Sequence, residues 1–69
     1  MESVHRALKI ARDPSHSRAS QVLARLIEAL KHDHPIRLSE LDDLGYDDCH
    51  LALQLILDWR VARHYFDRL

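Results

Sequence analysis

Residues 48–67 hold twelve apolar or aromatic side chains among twenty, which leaves almost no side of a helix for water. At about 100° per residue, Leu51, Ala52, Leu55, Ile56, Trp59, Ala62 and Phe66 fall on one broad face. Leu53, Leu57 and Val61 form a second stripe, and only Asp47, His50, Gln54 and Asp58 make a plainly wet strip. A helix that is apolar nearly all round is usually buried on several sides. The rest of the chain must wrap this segment, or another molecule must.

The remaining sequence offers helices for that purpose. One glycine, two prolines and no run of alternating β-branched residues predict an all-α protein. A first helix is expected over Ser3 to Arg12, with Val4, Ala7, Leu8 and Ala11 on one face. Asp13-Pro14 stops it and starts a second helix over 15–32, because proline suits a first helical position and Asp13 or a serine beyond it can cap. Ala19, Val22, Leu23, Leu26, Ile27 and Leu30 trace its apolar stripe, and His34-Pro35 ends it. Ser39 is read as the N-cap of a short third helix, with Leu41 and Leu44 inward and Gly45 closing it in the left-handed region. Asp47 or Asp48 then caps a fourth helix that runs to about Asp67. The expected fold is one all-α domain, residues 1–69: a small bundle of three longer helices and one short helix, the third and fourth paired as in a helix-turn-helix.

At 69 residues, folding removes only about 60% of the unfolded chain's surface, so a lone core is marginal. Small folds of this kind rely on staples, regular packing or a partner. Cys49 is the only cysteine, which excludes a disulfide within the chain and fits a reducing cytoplasm. No signal peptide or membrane span is expected, since the longest apolar run, Leu51 to Leu57, is broken by Gln54. Ten basic and eleven acidic residues leave the chain near neutral. The split is uneven: residues 1–34 carry +2 and residues 35–69 carry −3.

That charge distribution weighs against DNA. The N-terminal residues of a recognition helix meet base edges between phosphates. Here those residues are Asp47, Asp48, Cys49 and His50, preceded by Glu40, Asp42 and Asp43. Five carboxylates within nine residues oppose the electrostatic attraction that dominates affinity for nucleic acid. A helical corner used for packing is the preferred reading of this acidic surface. His5, Arg6, Lys9, Arg12, His16, Arg18 and Arg25 make a second, basic surface, but no aromatic residue interleaves with them to stack on bases. Solvated charge, or neutralisation of the acidic half, explains it more simply.

Catalytic and metal chemistry find little support. His32 and His34 lie two apart, and the paired spacing of a zinc site is missing. Cys49 and His50 are adjacent, so on a helix they diverge by about 100° and form no dyad. No catalytic residue, cofactor or small-molecule substrate is assigned, and the chain is read as non-enzymatic.

The stripe of Leu53, Leu57 and Val61, bordered by Arg60, His64 and Tyr65, is the feature left over. An exposed leucine forfeits roughly 1.5–3 kcal/mol of burial. Either the first helix covers the stripe, completing a four-helix core, or a second molecule does. Two-fold pairing suits the latter, because a homodimer interface is self-complementary. The segments "ALKIAR", "SRASQVLARLIEAL" and "IRLSELDDLGYDDCHLALQLI" are similar in order and spacing to uncharacterised short proteins of proteobacterial plasmids and integrative elements. The resemblance covers residues 7 to 56 and implies a bacterial accessory protein, without an activity or site residues. The expected function is a self-associating protein-interaction module, with a dimeric helix-turn-helix DNA-binding regulator as the alternative.

Overall fold

In the computed structural model, residues 1–15 and 17–69 are described, and His16 of the basic surface lies outside them. Helix α1 spans Glu2–Ala11, α2 spans Arg18–His32, a 3-10 helix spans Leu38–Asp43, α3 spans Tyr46–Val61 and α4 spans Arg63–Asp67. Every regular element among the described residues is a helix, and none is a strand. There are three longer helices, as the periodicity predicts, but two short ones rather than one.

α1 lays Val4 and Ala7 into the core against α2 and α3. Its bounds differ from the expected ones by a single residue at each end, the ordinary scatter of frayed helix termini. α2 begins three residues later than predicted. Asp13 does not cap it; its side chain instead accepts from the Ser15 amide at 2.9 Å, which makes a turn around Pro14. Ser17 is the cap: its Oγ accepts from the Ser20 amide at 3.1 Å, while the buried Ser20 Oγ donates back to the Ser17 carbonyl at 2.9 Å. At the other end, Asp33 adopts the left-handed region, and the His34 amide donates to the Ala29 carbonyl at 3.0 Å. Asp tolerates that conformation better than most side chains do. The helix is thus finished one residue before His34-Pro35.

The segment after Pro35 corrects two expectations. Ser39 does not cap an α-helix but lies inside the 3-10 helix, which Arg37 precedes without a side-chain cap. Leu44 and Gly45 are both extended, and Gly45 sits at φ −67°, ψ 171° rather than in the left-handed region. Gly45 ends nothing. It is the N-cap of α3, its carbonyl accepting from the Cys49 amide at 2.8 Å. The tighter helix has a local reason: at three residues per turn, residues three apart are eclipsed. Leu41 and Leu44 both pack on the core, and Glu40 and Asp43 both reach α2, where Arg25 and Arg18 lie seven residues, or two turns, apart.

The largest correction concerns the last helix. It starts at Tyr46, not at Asp47 or Asp48, and breaks at Ala62, whose φ −133° and ψ 55° are not helical. One helix from 46 to 67 would be about 33 Å long, longer than the 29 Å maximum extent of the molecule. The break folds α4 back onto α2 and α3 and buries Phe66 completely. The core is then Val4, Ala7, Leu23, Leu26, Ile27, Leu51, Ala52, Leu55 and Phe66, with Trp59, Ile56 and Tyr65 partly buried at its edge.

Candidate protein-interaction face

α3 turns Leu51, Ala52 and Leu55 inward, and α1 packs over that side of it. The second stripe is therefore not covered by the first helix. Leu53 is 48% exposed, Leu57 58% and Val61 85%. Tyr46, 79% exposed, belongs with them. At about 100° per residue, Tyr46, Leu53, Leu57 and Val61 fall within about 80° of one another and run about 22 Å along the helix. Sequence reasoning missed Tyr46 because it placed the helix start after it. The seven-residue step from Tyr46 to Leu53, two full turns, was the available signal.

The predicted border of this stripe is only partly brought to it. Arg60 is exposed in the last turn of α3, and His64 is exposed on α4, beyond the break. Tyr65 turns toward the core and meets the Phe66 ring edge-on, with centroids 6.1 Å apart. The Arg63 guanidinium lies 4.5 Å over the Trp59 ring and shields the half-buried indole. At the opposite end, His50 packs on Tyr46 with ring centroids 4.7 Å apart. Beside these two opens a cleft of about 680 Å³ between α1 and α3, lined by Ser3, Arg6, His50 and Asp58 among others.

Asp58 corrects another expectation, because it is not simply wet. It is half-buried, accepts from the Ser3 hydroxyl, and also accepts from Gln54 Nε2 at 3.1 Å. A buried hydroxyl on α1 is thereby satisfied by α3.

The acidic surface divides into two sets. Asp43 pairs with Arg18 at 2.6 Å and Glu40 pairs with Arg25, so these two pin the 3-10 helix to α2. Asp42, Asp47 and Asp48 form no ion pair among the described residues. Asp47 and Asp48 occupy the first turn of α3, where the helix dipole favours negative charge. Among the described residues no three His, Cys, Asp or Glu side chains converge as metal ligands do. The His32 and His34 rings pack together at 5.4 Å, and His32 Nε2 lies 3.1 Å from Glu28. No helix among the described residues is long and apolar enough to cross a membrane.

No family model, no curated protein and no solved structure matches the chain. The resemblance noted above therefore rests on the order and spacing of residues 7–56 alone.

Proposed function

We propose that the chain is a non-enzymatic, self-associating interaction module of a cytoplasmic setting, whose interface is the outer face of α3. The observation that carries this reading is the exposure of Leu53, Leu57 and Val61 on a helix whose opposite face is fully engaged. Covering them recovers on the order of a few kcal/mol per copy. Tyr46 extends the patch with a residue type favoured at interface centres. Arg60 stands beside it in the last turn of α3, and exposed His64 follows on α4; Tyr65, packed against the core, is left out of the interface.

The rival, a dimeric DNA-binding regulator, uses the succession of α2, 3-10 helix and α3 as its reading head. It places Asp47 and Asp48, which form no ion pair among the described residues, against phosphate, which counterion release disfavours. Retention on duplex DNA that falls steeply with salt would favour it.

Absolute mass by light scattering after size exclusion tests the proposal. The wild type is expected at twice the 8.1 kDa of one chain, and Leu57→Glu at 8.1 kDa with unchanged helical circular dichroism. A wild type that stays at one chain's mass across the accessible concentration range overturns it.

A further inference from the structure

A groove runs between α2 and the segment that follows it, and its two ends differ in chemistry. One end is a cavity of about 320 Å³ whose apolar lining comes from Ala24 and Ala29 on α2 and from Pro35 and Ile36 across from them. The other end is a more polar cavity of about 580 Å³, which adds Arg18, Arg37 and Asp43. Arg25, Pro35, Ile36 and Glu40 line both cavities, so the two are continuous. The Arg18–Asp43 and Arg25–Glu40 ion pairs hold the far wall against α2. No residue of α3 lines the groove, so it is separate from the exposed stripe.

Charge along the groove is engaged everywhere but at one place. Asp43 is paired with Arg18 and Glu40 with Arg25, and Glu28, at the apolar end, lies 3.1 Å from His32 Nε2. His34, also at that end, packs its ring on His32. Arg37 is the exception: it is exposed, lines the polar cavity and forms no ion pair among the described residues. Its backbone is fixed all the same, because its carbonyl accepts from the Glu40 amide at 3.1 Å where the 3-10 helix starts. An apolar hollow with a few placed polar groups is the usual form of a small-molecule site, and such sites begin at about 300 Å³.

We infer that this groove binds a small amphiphilic anion, a short apolar chain ending in a carboxylate. The chain lies over Ala24, Ala29 and Ile36, and the carboxylate meets the Arg37 guanidinium, whose planar fork of donors matches it. A cationic head group would face Arg37 unpaired, and a neutral one would leave that charge unused. One free guanidinium balances one negative charge. The second charge of a phosphate would stand near Glu40 and Asp43, so a carboxylate is the better fit.

Amide NMR shifts of the isotope-labelled chain, titrated with octanoate, hexanoate, octanol and octylammonium below micelle formation, test the site. Octanoate is expected to shift the Ala29, Ile36 and Arg37 amides saturably and to bind about fifteenfold tighter than hexanoate, the effect of two more buried methylenes. Arg37→Gln, at an exposed position, is expected to keep its helical circular dichroism and to weaken octanoate roughly two- to fivefold, in the range of exposed ion pairs. Octanol binding should not change in that variant. Arg60→Gln, an exposed arginine outside the groove, should leave octanoate affinity as it is; an equal loss there would mean general charge attraction and overturn the site. Octanol or octylammonium binding as tightly as octanoate, or no gain from hexanoate to octanoate, overturns it as well. So do shifts centred on Leu53, Leu57 and Val61, which would show the amphiphile merely coating the stripe, and so does the lack of any saturable shift.

Discussion

Gly45 starts α3 with extended backbone and no side-chain cap above it, and a Cβ there meets no atom within 4 Å. Serine supplies the missing acceptor for the first-turn amides and narrows the unfolded ensemble. Gly45→Ser is therefore expected to stabilise the chain by about 0.5–1 kcal/mol, read as a higher urea midpoint with unchanged slope. Ser3 is the converse case. Its buried hydroxyl donates to Asp58, which lies 55 positions away in sequence and joins α1 to α3. Ser3→Ala leaves a half-buried carboxylate short of a donor and is expected to cost about 1–2 kcal/mol in the same assay. Neither residue advertises its role: a serine near the start of a helix reads as a local cap, and a lone glycine reads as a helix end.

At the scale of elements, the break at Ala62 is the costliest feature to lose. α4 has five residues, too few to be helical alone, and Phe66 holds it against α2 and α3. Phe66→Ala is expected to destabilise by about 3–5 kcal/mol, a large part of the 5–15 kcal/mol typical of a whole domain. Amide exchange should show α4 losing protection first, with α2 keeping most of its own below global unfolding. A mutant whose α4 amides stay as protected as in wild type would contradict this. The ion pairs between α2 and the 3-10 helix contribute differently. Arg18 and Arg25 are about half exposed, so each pair is worth about 0.2–1 kcal/mol at most and fixes position more than stability.

For the molecule as a whole, the radius of gyration of 10.9 Å matches the roughly 11 Å of a compact domain of this length. The exposed stripe is therefore not a sign of loose packing. The accessible surface of 4881 Å² nevertheless exceeds the roughly 4,500 Å² that scaling gives for a monomer of this mass. Tyr46, Leu53, Leu57 and Val61 on the outer face of α3 are part of that exposed surface. Because the chain packs without covering the stripe, Leu57→Glu is expected to shift the melting temperature by no more than a few degrees while abolishing the proposed self-association. A substitution that unfolds the chain would instead make the stripe part of its core.

Much of this was legible from the residues alone. The all-helical class, the apolar stripes of α1 and α2, the end of α2 before Pro35 and the doubly apolar character of α3 follow from local periodicity and from proline and capping chemistry, which act over a few neighbours. The turn at Ala62, the 3-10 form of residues 38–43, the extended Gly45 and the tie between Ser3 and Asp58 do not. No proline or glycine marks position 62; the helix breaks there because Phe66 is worth more in the core than one more helical turn is in water. Likewise, two apolar faces on one helix are equivalent until something packs on one of them. α1 settles on Leu51, Ala52 and Leu55, and only that choice leaves Leu53, Leu57 and Val61 outside. Periodicity names the faces of a helix, but which face is buried depends on where distant segments come to rest.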